Sequence, residues 1–250
     1  MTDADTLFAS LEALRNEERA TKEKAYLKSA LTHLGASVPA VRQVAKAFWK
    51  ERGKLDHDAL VSLVEALWAR PVHEARLLAV ELLDVGKATL GPSDVVLLER
   101  MLREARTWAL VDPLAVNVMG ALVARHDALG ATLDRWAEDP DFWIRRSALL
   151  ALLGPLRRGG GDFERFGRYA DAMLHEKEFF VRKAIGWVLR ETGKKRPTLV
   201  RDWLAPRIDR AAGLTVREAL KSLPEADREA LLAQRSGAKD RATARARGRS

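Results

Sequence analysis

The sequence predicts an all-α chain organised as an α-solenoid, and three observations predict it. The apolar residues, 47% of the chain, are mostly Ala, Leu and Val, with two Tyr and few Thr, which favours helix over sheet. Gly and Pro punctuate the chain at Gly53, Pro71, Gly91-Pro92, Gly130, Pro140, Gly159 to Gly161, Gly193, Pro197, Gly213 and Pro224, with helical patterns between them. An apolar residue followed by Arg recurs at nearly constant spacing.

In order along the chain, Ala4 to Glu18 forms an amphipathic helix through Leu7, Phe8, Leu11 and Leu14. Ala20 to Leu34 forms a second, with Tyr26, Leu27, Ala30, Leu31 and Leu34 on its apolar face. Gly35 ends it and Pro39 starts the next. From there the repeat takes over. The pairs are Val41-Arg42, Ala75-Arg76, Ile144-Arg145, Val181-Arg182 and Val216-Arg217, with intervals of 34, 69, 37 and 35 between the arginines. The long interval divides at Val111-Asp112 into 36 and 33.

Other columns support this register. Three residues after each anchor stand Val44, Leu78, Leu114, Ser147, Ala184 and Ala219. Four after stand Ala45, Ala79, Ala115, Ala148, Ile185 and Leu220, and seven after stand Phe48, Leu82, Val118, Ala151, Val188 and Leu223. Small or apolar in every unit, these positions make one helical face. Six residues after the anchor the column is mixed (Ala47, Glu81, Asn117, Leu150, Trp187, Ser222), as an outward position would be. About six helix pairs of about 35 residues each make a HEAT-like solenoid with a curved, concave surface, one domain over residues 1–234. Arg235 to Ser250 carries six basic residues and one acid and reads as an unstructured basic tail.

The segment Glu178-Phe-Phe-Val-Arg-Lys-Ala-Ile-Gly-Trp-Val-Leu-Arg-Glu191 puts Val181, Ala184, Ile185, Val188 and Leu189 on one arc. Lys183, Trp187 and Arg190 fall opposite, so an indole is presented between two cations. The recurring Arg has two readings of equal weight. It pairs or packs between neighbouring repeats, or it lines the concave surface and tracks a phosphate backbone. In the third unit Asp112 takes its place, with Trp108 one turn earlier on the same side. From spacing alone, Asp112 before Pro113 suggests a helix N-cap, and Trp108 a core residue.

The totals exclude several classes. No cysteine is present, so disulfides, thiolate metal sites and a Cys nucleophile are ruled out. His33, His57, His73, His126 and His175 are scattered without ligand spacing, so no metal site is expected. Gly159 to Gly161 lacks the sequel of a phosphate loop, and no Gly-x-Ser-x-Gly elbow occurs. Met1 to Asp5 is unlike a signal peptide, and no apolar run reaches the roughly 18 residues of a membrane span. A cytoplasmic protein is expected. The net charge of +8 suits a polyanionic partner, although +5 of it lies in the tail.

The segment around Trp187 resembles the signature of AlkD-like DNA alkylation repair enzymes, which are HEAT-like DNA glycosylases. The resemblance continues through Tyr26-Leu-Lys28, Leu34-Gly35, Pro39, Arg42-Gln43, Phe142-Trp-Ile-Arg-Arg146 and Leu214-Thr-Val-Arg-Glu-Ala219, covering most of Ala20 to Leu223. It implies that Trp108, Asp112 and Trp187 line the cleft beside the damaged nucleotide and that Arg146 contacts the DNA backbone. With the basic columns it implies DNA contacts from Tyr26, Lys28, Arg145, Arg182, Lys183, Arg190 and Arg217. The implied substrate is duplex DNA carrying cationic alkylated purines of the 3-methyladenine and 7-methylguanine type. Excision is expected from a monomer without base flipping, metal or organic cofactor. In that family the segment carries a second aromatic before the Trp and an acidic then a small polar residue after it; the run Thr107-Trp108-Ala109-Leu110-Val111-Asp112 lacks the extra aromatic and the extra acid, and Pro113 follows Asp112. A HEAT-like DNA-binding or scaffold protein without the chemistry, and a peptide-binding solenoid, stay open as alternatives.

Overall fold

The computed structural model describes the backbone of residues 2–53 and 55–247, with side chains through residue 237. The fold is all-α, and the chain divides into two compact units, Met1–Leu129 and Gly130–Ser250. The first holds α1 (Asp3–Glu12), α2 (Glu17–Leu27), α3 (Val38–Arg52), α4 (His57–Trp68), α5 (His73–Gly86), α6 (Val95–Ala105) and α7 (Trp108–Pro113). From α7 the chain continues as a π-helical segment, Leu114–Met119, and ends as α8 (Gly120–Val123). The second holds α9 (Gly130–Ala137), α10 (Phe142–Ala151), α11 (Leu153–Arg157), α12 (Phe163–Ala172), α13 (Phe179–Gly193), α14 (Pro197–Leu204), α15 (Gly213–Leu220) and α16 (Glu225–Arg247).

The repeat read from the sequence is the packing repeat. Each anchor lies at the third or fourth residue of a helix: Val41 in α3, Ala75 in α5, Val111 in α7, Ile144 in α10, Val181 in α13 and Val216 in α15. None is more than 2% exposed. Ala45, Ala79, Ala115, Ala148, Ile185 and Leu220, one turn on, are also buried. In the first unit α3 packs on α5 and α5 on α7; in the second α10 packs on α13 and α13 on α15. Small residues set the closest approach. A Cβ on Gly186 would lie 2.7 Å from the Glu218 Cβ and 3.1 Å from the Thr215 carbonyl oxygen, so α13 and α15 meet there because no side chain intervenes.

Three expectations are corrected. The first two helices are shorter than their apolar patterns. Asn16 caps α2 by accepting a hydrogen bond from the Arg19 N–H, and Lys28 ends it in the left-handed conformation at φ 50°. Leu31 and Leu34 therefore leave the helix. Leu34 is buried from a loop, and Thr32 forms a single bridge with Val72. The column six residues after the anchor is not uniformly outward: Leu150 is buried and Glu81 is 3% exposed. Finally, α16 runs through Arg247, across the segment expected to be an unstructured tail. From Arg235 to Arg247 the only Gly is Gly237 and there is no Pro, and the start is held by Gln234 and Arg235, which donate to the Ala205 and Ala211 carbonyls. Residues 248–250 of the tail lie outside the described residues.

Candidate active site

In the first unit, Arg106 ends α6 in the left-handed conformation and Thr107 opens α7. The Thr107 hydroxyl accepts from the Ala109 N–H at 3.4 Å, so Thr107 is the N-cap. Asp112 is the fifth residue of α7, and the capping role suggested by Asp112-Pro113 does not hold. Trp108, the first helical residue, is 37% exposed, and so is not a core residue. Tyr26, 74% exposed on the last turn of α2, meets it edge to face with ring centroids 6.2 Å apart and planes at 85°. That geometry sets the positive edge of one ring against the negative face of the other. Asp112 is half-buried one turn beyond Trp108.

Pro113 brings no N–H, so the Ala109 carbonyl loses its usual partner in the helix ladder. The Leu114 N–H resumes the ladder on the Leu110 carbonyl, and a π-helical segment runs from Leu114 to Met119. Within it, Asn117 donates to the Asp84 carboxylate at 3.0 Å and ties the segment to α5.

The arginine column resolves largely as repeat-to-repeat contact. Arg42 makes two 2.9 Å bonds to Glu81, and Arg76 donates to the Trp68 and Glu104 carbonyls at 3.1 and 3.2 Å. Arg145, expected on the DNA, grips Glu176 at 2.6 and 3.0 Å and the carbonyls of Asp139 and Pro140 at 2.6 and 2.9 Å. Arg182 donates to the Glu176 carbonyl at 2.5 Å. Arg146 is 2% exposed; it donates to the Phe180 carbonyl and lies 5.9 Å from the Phe180 ring centroid. A guanidinium so enclosed holds α10 to α13.

On α13, Trp187 is half-buried. Arg190 pairs with Glu218 of α15 and with Glu191, so it is not a surface cation awaiting a ligand. The Glu218 carboxyl is held below its ordinary range, first by a hydrogen bond from Lys221 and then by the charges of Arg190, Lys221 and Lys183. Lys183 is exposed, its ammonium 5.7 Å from the Phe179 ring centroid. Arg217 and Lys28 are also exposed. The cations the structure presents to solvent from the expected set are thus Lys28, Lys183 and Arg217.

Two groupings had no signal in the sequence. The Tyr26–Trp108 contact joins residues 82 positions apart. His33 and His73 stack at 4.5 Å with planes 7° apart, beside Glu23. Burial, with the charge of His33 second, pushes the His73 imidazole down to about 3, so His73 is neutral at physiological pH. Among the described residues, no helix is long and apolar enough to cross a membrane.

Comparison with known proteins bears on the whole chain. The family model for the DNA alkylation repair enzyme matches residues 7–223, which include every anchor of the repeat. A predicted DNA alkylation repair enzyme from Enterococcus faecalis has a solved structure that is 25% identical, covering 84% of this chain and 97% of its own, with a TM-score of 0.75. AlkD2 from Streptococcus mutans is 17% identical over 82% of this chain and 99% of its own, with a TM-score of 0.59, and shares the fold. Smu.31 from Streptococcus mutans UA159, also 17% identical, does so over 86% and 100% with a TM-score of 0.58. No curated protein sequence matches significantly.

Proposed function

The chain belongs to the family of DNA alkylation repair enzymes, and from that premise we propose that it is a monofunctional DNA glycosylase. It releases cationic alkylated purines of the 3-methyladenine and 7-methylguanine type from duplex DNA, as a monomer in the cytoplasm and without base flipping. The observation that carries this reading is the exposed Trp108 at the start of α7, braced by Tyr26, with the Asp112 carboxylate one turn away.

The chemistry follows from the substrate. A purine alkylated at N3 or N7 carries positive charge, and its departure with the glycosidic electron pair leaves a neutral base. No acid is needed to protonate it. The barrier lies in the positive charge that grows on the deoxyribose as the bond breaks. A carboxylate at that point stabilises the charge electrostatically. Water then attacks the anomeric carbon, and Asp112 takes the proton it loses. An abasic site and a free base result. The face of Trp108 attracts the same charge by on the order of 0.5–2 kcal/mol.

In the second unit, Lys183 and Arg217 offer exposed positive charge to a duplex backbone, and Trp187 an aromatic face half open to solvent. Arg145, Arg146, Arg182 and Arg190 act as positioning residues through the contacts above. The test is release of methylated bases from alkylated duplex DNA by wild type and Asp112→Asn. Release that falls by on the order of 10²–10³ in the variant, with duplex affinity kept, supports the assignment. Tight, salt-sensitive DNA binding with no release would instead assign a DNA-binding protein without the chemistry.

A further inference from the structure

We infer that Glu23, His33 and His73 form a binding site for a divalent transition metal of the zinc type, and that the metal staples α2, which carries Tyr26, to the start of α5. The inference does not depend on the proposed glycosylase activity.

The three side chains come from three places. Glu23 lies on α2, His33 in the loop after it, and His73 is the first residue of α5. Their donor atoms all fall within 4.8 Å of one another. On these three side chains four polar atoms are buried without a hydrogen-bond partner: one Glu23 oxygen, both ring nitrogens of His33 and Nδ1 of His73. Each orphaned polar atom costs on the order of 1–3 kcal/mol, and native proteins keep few of them. The Glu23 oxygen and His33 Nδ1 approach each other to 3.5 Å without forming a hydrogen bond, and a partner shared by the group would satisfy all three side chains.

Backbone hydrogen bonds hold the chain segments that carry the two histidines, independently of any ligand. Thr32 N–H donates to the Pro71 carbonyl at 3.0 Å, and His73 N–H to the Thr32 carbonyl at 2.8 Å. The buried Glu74 carboxylate takes the N–H groups of Leu34 and Gly35 at 2.9 and 2.6 Å. Gly35 is required here: at φ +84° a Cβ would stand 2.1 Å from the Asn16 carbonyl oxygen. The segments that bring the two histidines together are therefore held in place without a metal.

Donor type selects the ion. Two imidazole nitrogens and one carboxylate oxygen suit Zn²⁺ and its neighbours, whereas Mg²⁺ and Ca²⁺ prefer oxygen alone. Donors on a tetrahedral zinc lie about 3.4 Å apart, given bonds of about 2.0–2.1 Å. The Glu23 carboxylate and His33 Nδ1 are already 3.5 Å apart. Closing the remaining separation requires one ring to tilt out of the parallel stack, because each lone pair lies in its own ring plane and two parallel planes share no point for an ion. Arg19, 3.6 Å from the other Glu23 oxygen, orients the carboxylate from behind. Glu23 also lines an open groove of about 520 Å³ with Asn16, Glu18, Arg19, Lys22 and Tyr26. Such a staple matters for α2, whose only buried residue is Ala20.

The experiment uses the full chain, freed of metal by a chelator and then titrated with Zn²⁺, and in parallel with Co²⁺ as a spectroscopic probe. Saturable binding of one ion per chain, Co²⁺ absorption typical of low coordination, and slower amide exchange in α2 on adding Zn²⁺ are expected. Glu23→Gln and His73→Phe each weaken binding at least 10-fold while leaving the far-ultraviolet circular dichroism unchanged. Glu23→Gln sits at the partly exposed edge of the site, so it reports even if His73→Phe fails to fold. Absence of one-to-one binding by either ion overturns the inference and leaves the cluster to buried water. Binding equal to wild type in Glu23→Gln, or no change in α2 exchange on saturation, also overturns it.

Discussion

Replacing Arg145 with Ala separates the two physical roles open to the arginine column. The Arg145 side chain is 18% exposed and that of its partner Glu176 14%. Truncation leaves a largely buried carboxylate without its bidentate partner and strips the Asp139 and Pro140 carbonyls of a donor. Breaking a fully buried pair from one side costs about 3–5 kcal/mol; with both partners partly wetted, a loss of roughly 2–4 kcal/mol is expected. For a chain of this size that lowers the melting temperature by about 5–12 °C. The assay is urea and thermal unfolding followed by circular dichroism, together with duplex affinity over a range of salt. Arg145→Lys should recover little, because an ammonium cannot reproduce the two parallel bonds to Glu176. The reasoning is refuted if Arg145→Ala unfolds like wild type, loses DNA affinity with a salt slope shallower by about 0.9, and is rescued by Lys. That pattern belongs to a phosphate contact.

Lys183→Ala makes the opposite prediction. Its ammonium is exposed and its nearest ring contact is at 5.7 Å, so stability should change by less than about 0.5 kcal/mol while the salt slope of DNA binding falls by about 0.9. His57 supplies a pH test. Hydrogen bonds to Asp58 and then Asp94 raise its pKa above 6.5 in the fold. Its contribution to stability is therefore present in full below pH 6.5 and is lost as pH rises through the folded value. Proton magnetic resonance of His57 should show the raised midpoint, and Asp94→Asn should lower it; a midpoint that ignores Asp94 contradicts the reading.

The parts of the fold that were legible are those governed by local periodicity. Val41, Ala75, Val111, Ile144, Val181 and Val216 were found by spacing alone because each repeat buries the same helical face against the next. What failed depended on single side chains or on distance. Asn16 and Lys28 ended helices that the apolar pattern would have continued, because capping and a left-handed turn outweigh Leu31 and Leu34. Asp112 was readable as a cap until Thr107 was seen to hold that place. Arg145 and Arg182 belong to the packing because Glu176 is brought to them from the loop before α13, a pairing no local pattern encodes. His33 and His73 show no ligand spacing, since the fold joins them across 40 residues. Trp108 and Asp112 were found as an exception to a column. Nothing in the sequence foretold that Tyr26 would brace the indole.

The central claim is that the Asp112 carboxylate beside Trp108 performs base excision, and single-turnover release of 7-methylguanine from methylated duplex DNA measures it most directly. Wild type should release the base, while Asp112→Asn, folded and binding the same duplex with unchanged affinity and salt dependence, should be slower by on the order of 10²–10³. Release at the wild-type rate by Asp112→Asn, or no release by wild type at saturating enzyme, would contradict the account.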